Sequence, residues 1–117
     1  MVRAEMVTTS VVVVAWIEFS NYYHYVRAGT LNTSGSISWG STVAISNVNA
    51  SNEMALGASA SYVPTGWRYS SNGYYYIGRH SISGTTITAS GGTFTGSSNT
   101  SSSQLEFAFC PEESSSN

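Results

Sequence analysis

The stretch Val11-Val12-Val13-Val14-Ala15-Trp16-Ile17, bounded by Thr8-Thr9-Ser10 before it and Glu18 after it, decides how the chain is read. Four consecutive β-branched valines are stiff at χ1 and pack well on a pleated surface, so they predict a strand rather than a helix. Seven residues fall far short of the roughly 20 apolar residues that span a bilayer. A secretory signal would need a positive start and an uninterrupted apolar stretch. Glu5 beside Arg3 and the hydroxyl residues before Val11 argue against one. The run does not alternate, so it needs cover on both faces. A small sandwich with a polar exterior covers one face only. The expectation is that Val11, Val12, Val13, Val14, Trp16 and Ile17, in a segment from Val7 to Phe19, form an intermolecular strand that pairs with or is buried against another chain rather than lying wholly in its own sheet. A central strand of the chain's own sandwich is the alternative.

Outward from that run, the chain alternates with a period of two wherever it is not turning. Met54, Leu56, Ala58, Ala60 and Tyr62 share one face of an extended segment, and Leu105, Phe107 and Phe109 share one face of another. Ile37 with Trp39, and Val43 with Ile45, make shorter pieces around Gly40-Ser41. Turn signals recur at Asn32-Thr33-Ser34-Gly35, Pro64-Thr65-Gly66, Asn72-Gly73, Ser83-Gly84 and Gly91-Gly92, the spacing of a sandwich or barrel. Asn72-Gly73, between Trp67-Arg68-Tyr69 and Tyr74-Tyr75-Tyr76-Ile77, is the strongest hairpin signal, because both residues accept positive φ. Ser36 to Val43 and Ser81 to Ile87 resemble each other and read as two similar hairpins. The predicted fold is all-β, a single-domain antiparallel β-sandwich of jelly-roll-like form with seven to nine strands. Residues 1–20 are read as the N-terminal strand, 21–111 as the sandwich and 112–117 as a polar tail.

The chain has 117 residues with four Arg, six Glu, no Lys and no Asp, and only 9% of it is charged. An ordinary domain carries about 25%. Solubility rests instead on 23 serines, 12 threonines, 8 asparagines and 11 glycines. Charge, especially Lys, is the usual protection of edge strands, so this composition points to association. A net charge of −2 removes the footprint of a nucleic-acid binder. The single Cys110 forms no internal disulfide. Three N-x-[ST] sequences, at Asn32, Asn49 and Asn99, are about what chance supplies in so hydroxyl-rich a chain.

Catalysis finds little support. There are two histidines, no aspartate, no nucleophile-elbow sequence and no pair of glutamates in a shared motif. The spacing of His24, His80 and Cys110 matches no metal-ligand pattern, and no cofactor is expected. The constellation that remains is aromatic. Tyr22, Tyr23 and Tyr25 form one group; Trp67, Arg68, Tyr69, Tyr74, Tyr75 and Tyr76 form another around the predicted hairpin. Tyr and Trp present an apolar face with a polar edge, so these residues are candidates for a protein interface or a glycan platform, with core packing as the plain alternative.

Residues Gly66-Trp67 through Ser71-Asn72-Gly73-Tyr74-Tyr75-Tyr76, followed by Gly84-Thr85-Thr86, resemble the GW…(D/N)GYYYY…G-T stretch of secreted Gram-positive β-sandwich proteins of the camelysin and biofilm-fibre type. The resemblance covers about twenty residues and implies a sandwich hairpin; that family's protease and metal motifs have no counterpart here. In overall character the chain is also similar to small all-β phage virion accessory proteins of the decoration, fibre and tail kinds. The functional expectation is a non-enzymatic structural protein on the virion surface, partnered by copies of itself or by a capsid or fibre protein. The alternatives are a carbohydrate-binding or adhesive module that takes a cell-surface glycan, and a secreted extracellular fibre subunit. No nucleic acid and no membrane span are expected.

Overall fold

The computed structural model describes residues 1–46, 50–69, 74–89 and 94–95. The valine run is β2 (Val11–Ile17), lying between β1 (Val2–Met6) and β3 (His24–Leu31). Val2 pairs with Trp16 and Met6 with Val12 on one side; Val11 pairs with Thr30 and Ile17 with His24 on the other. Two short strands, β4 (Ile37–Trp39) and β5 (Val43–Ser46), pair end to end along the free side of β3. The second sheet is built from β6 (Ala50–Leu56), β7 (Tyr62–Tyr69), β8 (Tyr75–Ser83), β9 (Thr86–Thr88) and β10 (Phe94–Thr95), in the order β10-β8-β7-β6 with β9 also on β8. Every pairing is antiparallel. Among the described residues there is no helix.

The result is a sandwich of two consecutive meanders, and among the described residues the chain passes from one sheet to the other once, between β5 and β6. Jelly-roll connections would alternate between sheets, and those among the described residues do not. Val13, Ala15, Ile17, Val26 and Ala28 from the first sheet meet Met54, Leu56, Val63, Trp67, Ile82 and Ile87 from the second. Side chains at alternate positions of a strand enter this core, which is the periodicity that makes each sheet amphipathic. At one side of the sandwich, Arg3 Nε donates to the Met54 carbonyl at 3.4 Å, tying β1 to β6.

Further expectations are corrected, and Pro64-Thr65-Gly66, read as a turn, lies inside β7 and pairs with Arg79, Gly78 and Ile77. Both edges of β2 are hydrogen-bonded within the chain, so Val11, Val12, Val13, Val14, Trp16 and Ile17 have no free edge for strand addition to another chain, which removes the pairing part of that expectation and not burial of a face against another chain, and β1 and β2 belong to the same sheet as β3. The segment from Glu53 to Tyr62 is not one strand: after Gly57 the chain turns, with Tyr62 N donating to Ser59 Oγ and Ser59 N to the Tyr62 carbonyl. Small residues and serine make that reversal easy, and the run of alternating alanines conceals it. Finally, Ser36 to Val43 is not a hairpin, because β4 and β5 pair with β3 rather than with each other. Its counterpart at Ser81 to Ile87 is one, turning at Gly84 with φ +58°. Asn72-Gly73, Cys110, Leu105, Phe107, Phe109 and the tail 112–117 lie outside the described residues, though the strands flanking Asn72-Gly73 do pair, Trp67 with Tyr76 and Arg68 with Tyr75.

The two faces of β2 are therefore inequivalent, and isosteric substitution reads this directly. Val13→Thr buries a hydroxyl among apolar neighbours and is expected to destabilise by about 1–3 kcal/mol in urea denaturation. Val12→Thr, on the half-exposed face, is expected to stay within about 0.5 kcal/mol of the wild type.

Candidate interaction face

The outer side of the first sheet is built by the register. Residues directly opposed in an antiparallel pair project to the same side. Val2, Ala4 and Met6 of β1 thus stand beside Trp16, Val14 and Val12 of β2; Tyr25, Arg27 and Gly29 of β3 continue the rows; Trp39 lies opposite Gly29 and Ile37 opposite Leu31. Val2, Met6, Leu31, Ile37 and Trp39 are exposed, and Val12, Val14, Trp16 and Tyr25 are half-buried. Arg27 is the one charged residue in these rows. This is a wide apolar sheet face, not the polar exterior that an isolated sandwich presents.

Its relief is set by three contacts. Trp16 and Tyr25 stack across β2 and β3 with ring centroids 5.7 Å apart. Gly29 leaves the space over which Trp39 and Ile37 lie; a Cβ there would come within 2.5 Å of Ile37 Cγ2 and 2.7 Å of Trp39 Cε3. Arg27 Nε donates to the Gly40 carbonyl at 2.6 Å, and its guanidinium sits 5.5 Å from the Trp39 ring centroid. Between these groups is a shallow depression of about 180 Å³ lined by Val14, Trp16, Arg27 and Trp39.

Beside this face, the turn from β2 to β3 is tightly held. Glu18 N donates to the Tyr23 carbonyl and Tyr22 N to the Glu18 carbonyl. Tyr23 N donates to Asn21 Oδ1 at 2.8 Å. Asn21 Nδ2 donates both to Glu18 Oε2 at 3.2 Å and to Tyr25 Oη at 3.0 Å, which keeps the Glu18 carboxylate at the Tyr25 end of the face. Tyr22 takes a left-handed φ of 57°, a conformation that costs a bulky residue on the order of 1–3 kcal/mol. Tyr22 packs against Phe19, which is 80% exposed.

The aromatic residues singled out from sequence do not form one site. Trp67 is buried in the core, its ring stacked on Tyr76 and meeting the edge of His24, so it offers no platform. Tyr76 is half-buried against the same core. Arg68 and Tyr75 project to the opposite side of β7 and β8, where Tyr75 is buried and Arg68 half-buried. Tyr74 is exposed just before β8, and the side chain of Tyr69 lies outside the described residues. Tyr22 and Tyr23 sit in the β2–β3 turn, and Tyr25 alone of the candidates lies on the apolar face. Trp39, Arg27 and Gly29 were not anticipated there, and Glu18 and Phe19 were anticipated only as the end of the Val7 to Phe19 segment. The signal for the face was the missing alternation in β2.

A polar cluster is enclosed between the sheets. His24 Nε2 contacts Met54 Sδ, and Thr65 Oγ1 is hydrogen-bonded to His80 Nε2 at 3.0 Å. Gly78 leaves room for the His80 ring, which lies 2.8 Å from where a Cβ would stand. His24 Nδ1, His80 Nδ1 and Trp67 Nε1 are buried without a hydrogen-bond partner among the described residues. Burial, and then the nearby His80, push the His24 pKa down from 6.5 to about 3; burial also lowers that of His80. Both rings are therefore neutral at pH 7.

No protein-family model, curated protein or solved structure matches the chain.

The buried histidines make stability depend on pH. Below pH 6.5 the unfolded chain binds a proton at His24 that the folded chain refuses until about pH 3, so stability is lost as pH falls through that window. His24 alone is expected to remove about 2 kcal/mol between pH 6.5 and 5, before most carboxylates titrate. Urea denaturation across that range measures the loss, and His24→Leu is expected to reduce the slope.

Proposed function

We propose that this chain is a non-enzymatic structural protein that assembles in repeated copies on a larger particle, as a virion component such as a capsid decoration, head-fibre or tail subunit. The observation that carries the reading is the outer face of the first sheet, where Val2, Met6, Val12, Val14, Trp16, Tyr25, Leu31, Ile37 and Trp39 form a continuous apolar surface on a chain whose composition is rich in hydroxyls and amides. Monomers rarely expose contiguous apolar patches beyond roughly 300–600 Å², and larger ones mark association sites. Scarce charge on the rest of the surface supports the same reading, since little repulsion opposes dense packing of copies. Localisation on a virion surface follows from this proposal.

The rival reading is a carbohydrate-binding module, favoured by the exposed Trp39 beside Arg27. Analytical ultracentrifugation at micromolar concentration together with a glycan array separates the two. Concentration-dependent assembly with a blank array is expected; specific sugar binding by a chain that stays monomeric would overturn the proposal.

A further inference from the structure

The apolar face carries complementary features at two places. The first is the depression lined by Val14, Trp16, Arg27 and Trp39, with the Arg27 guanidinium at its wall. The second is the β2–β3 turn, where Glu18 and Phe19 are adjacent and Phe19 is the most exposed large apolar side chain among the described residues. Arg27 is paired across the strands with Val14, and Glu18 follows the end of β2 four residues beyond Val14, about 13 Å along an extended chain. The Trp16–Tyr25 stack stands between them. A cation beside a hollow on the face, and an anion beside an exposed ring in the adjoining turn, are the elements of a self-complementary contact.

We propose that this face is a two-fold interface between two copies of the chain, in which Phe19 of each copy enters the Val14–Trp16–Arg27–Trp39 depression of the other and Glu18 faces Arg27. The proposal deepens the reading of the chain as an assembling subunit, and rests on it. The two-fold axis lies between the facing sheets, at right angles to the line joining Arg27 and Glu18, and passes over Trp16 and Tyr25. That operation exchanges the two places, so both depressions and both charge pairs are filled at once.

Three physical arguments select a second copy as the occupant. Charge complementarity is the first: Arg27 is the one charge within the apolar rows, burying it needs a carboxylate partner, and Glu18 is held at the correct end by Asn21. Area is the second. Four strands about 4.8 Å apart and about seven residues at 3.3 Å span roughly 19 by 23 Å. That flat footprint is roughly 440 Å², about half of the roughly 800 Å² per partner of a standard interface; Trp and Tyr side chains and the adjoining turn add to it, which fits a weak dimer. Preorganisation is the third: the hydrogen bonds that lock the turn mean that little ordering opposes insertion of Phe19. Sheets packed face to face lie about 10 Å apart, a gap that one aromatic side chain bridges.

Strand addition at the edge of this sheet is a poorer route. Arg3 and Glu5 of the edge strand β1 share the side of Ala15 and Val13, which faces the core, and inward-pointing charges on an edge strand oppose continuation of a sheet.

Sedimentation equilibrium on the full chain, with circular dichroism as the control for folding, tests the interface. The wild type is expected to dimerise at tens of micromolar or below. Phe19→Ser alters an exposed turn residue and is expected to keep the thermal midpoint while weakening the dimer by about tenfold or more. Glu18→Arg and Arg27→Glu are each expected to weaken it comparably, and the doubly exchanged chain to recover most of the loss. A wild type that stays monomeric at these concentrations, or a Phe19→Ser chain that associates as tightly as the wild type, would overturn the interface. Assembly that persists unchanged in Phe19→Ser would leave the structural-subunit reading standing and remove this contact alone.

Discussion

A strand that is apolar on both faces must be covered on both, and the architecture of this protein follows from that constraint on β2. Val13, Ala15 and Ile17 are covered by the second sheet, while Val12, Val14 and Trp16 point the other way onto a surface that nothing in the described chain closes over. The neighbouring strands extend this surface instead of relieving it. Gly29 lets Trp39 and Ile37 lie flat across β3, and Arg27 is drawn down onto Trp39 by the Gly40 carbonyl. At about 25 cal/mol per Å² of apolar area, leaving such a face in water forgoes several kcal/mol, comparable to the net stability of a domain.

The scarcity of charge takes on a more specific meaning in this setting. Edge strands are commonly protected by Lys, and this chain has none. Its first-sheet edge is instead guarded by Arg3 and Glu5, with Arg3 anchored to the Met54 carbonyl. Open-ended edge pairing is thereby discouraged while face-to-face contact is left available. A contact made by side chains can be closed by two-fold symmetry, whereas edge addition propagates. The enclosed His24–His80 cluster places a second condition on the fold: two neutral imidazoles between the sheets tie the integrity of the sandwich to pH.

Much of the fold was readable in the sequence because local chemistry and tertiary structure agree there. The valine run is a strand, the residues flanking Asn72-Gly73 pair as a hairpin, and Gly84 turns β8 into β9. The readings failed where local pattern is degenerate. Alternating small residues hid the turn at Ser59. Trp67 looked like a surface aromatic because its neighbours are tyrosines, yet its side of β7 faces the core. The site was legible only in outline. The missing alternation in β2 announced that a second face needed cover, but it could not say that the cover was needed beyond the sheet rather than at its edge. Trp39, Gly29 and Arg27 come together through a register that pairs β3 with both β2 and β4, and no short-range signal encodes that pairing.

Hydroxyl-radical footprinting with mass spectrometry at two protein concentrations tests the central claim most directly, because it reads each face of the sandwich residue by residue in one experiment. Phe19, Trp16 and Trp39 should be protected in the concentrated sample and become reactive on dilution, while Met54 and Trp67, enclosed between the sheets, stay protected in both. Equal reactivity of Phe19, Trp16 and Trp39 at the two concentrations, with the core residues still protected, would contradict it.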